Sequence, residues 1–224
     1  VDACDVRVST TLSSGTHNFP TGIDICNSGI MLDCNGATFI GNSVFGSRGI
    51  RIYPSFTTVR RCETRNYDIG IVASSSSNSI LKNIATSNTL GISVYGGSSN
   101  TISENTANSN NVGGINVGAY GSSSNNNIIS NNTVNSNVNA GIGIAGNNNL
   151  LENNTVNSNA NGINLAWASY NTLKNNTISS NSAGGIVVAM SSHYNTFSGN
   201  LINNNSGGIS LALSNSNTIT NNIF

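Results

Sequence analysis

A Gly-Ile pair recurs along the chain, at Gly22, Gly49, Gly70, Gly91, Gly114, Gly141, Gly162, Gly185 and Gly208, at intervals of 21 to 27 residues. Units that short cannot bury an apolar face alone, so the period restricts the chain to architectures in which repeats stack on one another. After each pair apolar and variable residues alternate, as in Ile92-Ser93-Val94, Ile163-Asn164-Leu165 and Ile209-Ser210-Leu211. That is the period-two pattern of a strand with one buried face. A second apolar site follows in each unit at Ile80, Ile102, Ile129, Leu151, Leu173, Phe197 and Ile219, and a third, weaker one near Ala107, Val134, Val156, Ile178 and Ile202. Each unit therefore reads as a coil with about three sides.

About a fifth of the residues are Asn, and only 7% are charged, a bias that resembles low-complexity sequence. The Asn residues nevertheless fall into columns. Asn78, Asn100, Asn127, Asn149, Asn171, Asn195 and Asn217 precede the second strand, and Asn83, Asn105, Asn132, Asn154, Asn176, Asn200 and Asn222 follow it at a constant offset. Asn88, Asn110, Asn137, Asn159, Asn181 and Asn205 form a third column. Asn tolerates the left-handed conformation of tight turns, and stacked amides hydrogen-bond from coil to coil. The reading is an all-β fold, a single-stranded right-handed parallel β-helix of about nine coils with Asn ladders and a length on the order of 40 Å. It forms one domain over residues 1–224, with charge-rich N-terminal coils over 1–66 and regular coils over 67–224. The last coil ends in full repeat pattern without a polar cap, and the start at Val1 reads as a processed or excised segment.

The alternation of Gly-Ile-x-Leu/Val with Asn-Thr-Ile/Leu-x-x-Asn-Asn-Thr, seen at Gly162 to Leu165 and Asn171 to Thr177, resembles the parallel β-helix repeats of archaeal and bacterial surface proteins, NosD-like ones included. The opening Ile23-Asp24-Ile25-Cys26 and Ile30-Met31-Leu32-Asp33-Cys34-Asn35-Gly36 are similar to the first coils of secreted archaeal members. The resemblance covers nearly the whole chain. It implies the fold and leaves activity open, since such folds host lyases, epimerases, adhesins and fibres.

Cys4, Cys26, Cys34 and Cys62 all lie in the first third and show no CxxC spacing, which favours disulfides over zinc. Cys62 occupies the ladder position that Asn83 and Asn105 fill later, and Cys34 is one residue short of it in the preceding coil, so these two are expected to pair. Cys4 and Cys26 are then left for each other. Such staples point to an extracellular setting.

Lys82, Glu104, Glu152 and Lys174 are the only Lys, Arg, Asp or Glu residues beyond Val72. In the first third, Asp24, Asp33, Arg48, Arg51, Arg60, Arg61, Arg65 and Asp68 could form a polysaccharide-cleaving cluster of the lyase or glycosidase kind. Aligned by coil, however, Asp24 falls beside Arg51, Asp33 beside Arg60, Lys82 beside Glu104, and Glu152 beside Lys174. Opposite charges on adjacent rungs are the arrangement of structural pairs, so no catalytic residue is assigned.

The formal net charge is zero, which disfavours nucleic acid as a partner, and no apolar run is long enough to span a membrane. His17 and His193 are the only histidines. No metal site, copper included, and no cofactor is expected. Tyr95, Tyr120, Trp167, Tyr170 and Tyr194 fall in or near the loop after the first strand, where aromatic rings stack on sugars or on a neighbouring subunit. Glycosylation sequons begin at Asn131, Asn153, Asn175 and Asn204. Columns such as Thr106, Thr133, Thr155 and Thr177 lack the paired Thr-x-Thr regularity of an ice-binding face. Together these features point to an extracellular structural or adhesive protein of a cell-surface filament or layer. It would assemble as a homo-oligomer by end-to-end stacking, with glycans or other surface components as further partners. The alternatives are a carbohydrate-active enzyme and a passive glycan-binding module.

Overall fold

The computed structural model describes residues 5–118 and 124–224. Among them every regular strand pairs in parallel with the strand one coil away, building sheets of nine, ten and nine strands. The first sheet holds the Gly-Ile strands, from Ile23–Ile25 to Ile209–Leu211; the second runs from Thr10–Thr11 to Thr218–Thr220, and the third from Thr16–Asn18 to Leu201–Asn203. The chain visits the three sheets in turn and then climbs one rung, giving the right-handed parallel β-helix that the repeat predicts.

Register is set by apolar stacking. Ile50, Ile71, Ile92, Ile115, Ile142, Ile163 and Ile186 are mutually aligned on successive rungs of the first sheet and are buried. Slipping one residue would turn each of them outward, so the alternation locks the coil phase. The Gly that precedes each such Ile is required by close approach. A Cβ on Gly141 would lie 2.4 Å from the Val156 side chain and 2.9 Å from the Gly162 carbonyl oxygen.

The three Asn columns run up the three corners and are buried at 0 to 2% exposure from Asn78 to Asn200. Asn105 shows the pattern. Its Oδ1 accepts the backbone N–H of Asn83 (2.9 Å) and the Asn83 side-chain amide (3.0 Å), while its own amide donates to the Ile80 carbonyl (2.8 Å) and to Asn132 Oδ1 (3.1 Å). One side chain thus satisfies corner groups on the rungs before and after it, groups that sheet pairing leaves over.

One detail differs from the sequence reading. The left-handed residue at each corner is the one before the ladder Asn, as at Ser77, Lys82, Ser87, Asn131 and Asn153. That residue makes the bend and faces solvent, so Lys82 and Glu104 serve there, with side chains 59% and 53% exposed. The residue after it turns inward, where only an amide of this length bridges both neighbouring rungs.

Candidate functional site

The chemistry-bearing side chains concentrate at the corner between the second and third sheets in the first coils. Cys34 and Cys62 are disulfide-bonded there, with Cα atoms 4.8 Å apart. Cys26 is also disulfide-bonded, and Cys4 lies outside the described residues. Beside the Cys34–Cys62 bridge, Asp33 closes the strand Met31–Asp33. Its carboxylate receives Arg60 Nη2 at 2.8 Å, Arg61 Nη2 at 2.6 Å and Arg61 Nε at 2.8 Å. The Asn35 N–H adds a further bond at 3.0 Å. Led by the hydrogen bonds from Arg61, these donors hold the Asp33 carboxyl at a pKa of about 2, against the opposing effect of its burial. A carboxylate held that low stays ionised near neutrality and is a poor proton donor or acceptor for catalysis.

The other acids among the described residues are also engaged. Asp24 lies 3.2 Å from Arg51 Nε; burial pushes its pKa up, Arg51 pulls it down and Asp5 adds to the rise. Asp5 accepts the Asp24 N–H. Glu63 pairs with Arg65 and accepts the Thr38 hydroxyl. Asp68 accepts the Gly46 N–H at 2.9 Å and lies 4.0 Å from Arg48. Farther along, Lys82 meets Glu104 at 3.5 Å and Lys174 meets Glu152 at 2.9 Å. The charged residues therefore sit on different faces, Glu63 with Arg65 within one strand and the others as cross-rung pairs, and they do not converge as a set. A shallow depression beside the disulfide, lined by Asn35, Gly36, Arg61, Glu63, Lys82 and Ile84, has Glu63 as its sole carboxylate, already engaged by Arg65.

Trp167, Tyr170 and Tyr194 come together at the corner between the first and second sheets. The rings of Tyr170 and Tyr194 are parallel within 8°, with centroids 5.0 Å apart, and Trp167 is 47% exposed. The Trp167 N–H donates to the Met190 carbonyl, which brings Met190 into the group. Leu213 holds the same position one rung farther on, 85% exposed. Sequence reasoning missed Met190 and Leu213, although both lie at steps of 23 residues from Trp167. Tyr95 is on another part of the rod, beside a depression lined by Arg48, Ile69, Val72, Leu90 and Ser93. Tyr120 lies outside the described residues. Asn131, Asn153 and Asn175 share one exposed corner column, and Asn204 is exposed on a different corner.

A family model described as a right handed beta helix region matches residues 15–149, and one described as periplasmic copper-binding protein (NosD) matches residues 116–224. No curated protein matches the chain. Among solved structures, the periplasmic alginate epimerase AlgG is similar at a TM-score of 0.76 and 18% identity, over 99% of this chain and 62% of that one. A pectate lyase is similar at a TM-score of 0.72 and 17% identity, over 92% of this chain and 70% of that one. The Dettilon tailspike protein is similar at 0.62 and 18%, over 96% and 56%. The chain spans 50% to 62% of the epimerase chains it resembles, and at these identities the likeness is one of fold.

The donor set does not fit the copper of the second family description. Residues 116–224 contain His193, Met190 and Glu152 and no Cys or Asp. His193 Nδ1 accepts the Asn215 N–H at 2.9 Å, and Glu152 is paired with Lys174. One imidazole and one thioether fall short of the ligand sets that hold protein-bound copper. Among the described residues no three His, Cys, Asp or Glu side chains cluster as a metal site, and no helix is long and apolar enough to cross a membrane.

Proposed function

Because this chain belongs to the right-handed β-helix family, we propose that it is an extracytoplasmic structural and adhesive module, a stiff neutral rod that performs no bond chemistry of its own. The observation that carries this reading is the engagement of the carboxylates among the described residues. Asp5, Asp24, Asp33, Glu63, Asp68, Glu104 and Glu152 each have a cation or a backbone N–H in hand. General acid-base catalysis needs such a group near its working pKa and facing a substrate. The disulfides favour an oxidising compartment.

The rod assembles end to end with copies of itself. Head-to-tail contacts of this kind propagate as filaments. The exposed sequons at Asn131, Asn153, Asn175 and Asn204 suit glycan attachment on such a surface.

The similar folds named for alginate and pectate set the rival reading, a carbohydrate-active enzyme. Incubation with alginate, polygalacturonate and neutral polysaccharides decides between them. The structural reading expects no release of unsaturated or reducing ends above a heat-treated control; release that scales with protein concentration contradicts it.

A further inference from the structure

We infer that the corner between the first and second sheets, over the three coils that carry Trp167, Met190 and Leu213, is a docking ridge for a neutral, pyranose-based glycan. This deepens the adhesive reading and rests on it. The motive is conformational. Trp167, Met190 and Leu213 have φ of 52°, 56° and 53°, at a column position that Gly96 and Gly146 fill in earlier coils. Tyr170 and Tyr194 have φ of 60° and 56° where other coils place Ser77, Ser99, Asn126 and Asn148. Left-handed backbone suits Gly and Asn and disfavours bulky side chains. Single bulky residues occur at such bends elsewhere, as at Phe56 with φ of 61°, and it is the concentration of five within three successive coils that marks a functional constraint.

Size excludes a folded protein partner. Three rungs about 4.8 Å apart, one corner wide, fall far short of the roughly 800 Å² per partner that a stable protein interface buries. A few sugar rings fit that extent.

The chemistry matches a pyranose, which has an apolar C–H face and a hydroxyl rim. Tyr170 and Tyr194 shield one ring face each in their mutual stack, and the neighbours at the same bend on either side, Asn148 and Ser216, are smaller. A polar rail runs alongside. The backbone N–H of His193 donates to Ser169 Oγ at 3.0 Å and the backbone N–H of Asn215 to His193 Nδ1 at 2.9 Å, which leaves Nε2 as the ring donor. Residues 166–171, 189–195 and 212–217 contain no Asp, Glu, Lys or Arg. Nothing there compensates a uronate or sulfate charge, so the ligand is uncharged.

Affinity electrophoresis in gels containing soluble mixed-linkage β-glucan, galactomannan, alginate or polygalacturonate tests the assignment. Retardation is expected in at least one neutral gel and in neither anionic gel. Emission of the single Trp should shift on titration with the same neutral polymer. The double variant Tyr170→Asn, Tyr194→Asn should bind about tenfold more weakly or worse while melting at the same temperature or higher, because Asn accepts the left-handed backbone. Tyr95→Ser should bind as the parent does. Absence of retardation by both neutral polymers, retardation by the anionic ones, or unchanged binding in the double variant overturns the assignment. Release of chain ends by the parent protein would contradict the non-catalytic module and leave the ridge standing, so the two readings fail separately.

Discussion

Asn154→Leu is expected to destabilise the protein by roughly 3–6 kcal/mol, from about 1–3 kcal/mol for each buried polar group left without a partner. Asn154 is 1% exposed. Its Oδ1 accepts the backbone N–H and the side-chain amide of Asn132, each at 3.0 Å, and its amide donates to the Ile129 carbonyl at 2.8 Å and to Asn176 Oδ1 at 2.9 Å. Leucine has a similar bulk and offers none of these bonds, so groups on the rungs before and after it lose a partner together. The neighbouring Asn153→Ser supplies the control. Asn153 occupies the exposed left-handed position, where Ser is used at the equivalent bends of other corners, and its replacement should stay within about 0.5 kcal/mol. Chemical denaturation of the two variants side by side reads the contrast; equal effects would mean that the inward column is not the element holding the corners.

Removing the Cys34–Cys62 bridge as the double Ala variant should cost about 3–4 kcal/mol on the chain-entropy account for a loop closed across 28 residues. The loss should also be local. In a stacked-repeat protein each coil is stabilised chiefly by its immediate neighbours, so the first coils lose protection while later ones keep it. Hydrogen exchange is expected to speed up in Met31–Asp33 and Thr58–Arg60 and to stay unchanged in Thr172–Lys174. A uniform rise along the rod would show that the bridge supports the whole stack.

Much of this architecture is legible in the sequence because the same physical demand recurs on every rung. The Gly-Ile pair reports a corner too tight for a Cβ and the inward aliphatic column beside it; the Asn columns report corner groups that the sheets leave unpaired. Cross-rung pairs such as Glu152 with Lys174 follow from alignment alone. Two features are less visible. The bend residue can be Ser, Asn, Lys, Glu or Tyr, since its side chain faces solvent, so composition does not reveal that the left-handed conformation sits one place before each ladder Asn. The ridge escapes for a related reason. Met190 and Leu213 look like ordinary apolar residues near a strand end until φ shows that they hold a glycine's place. Tyr95 falls one place before the Trp167 column, level with Ala166 by strand register, and lies three coils away along the rod.

The structural role is tested most directly by imaging the purified chain over a range of concentrations with negative-stain electron microscopy. Straight unbranched rods of constant width, lengthening with concentration in steps of about 40 Å per copy, are the predicted result. Single rods of that unit length at every concentration, with the same outcome in light scattering, would contradict it.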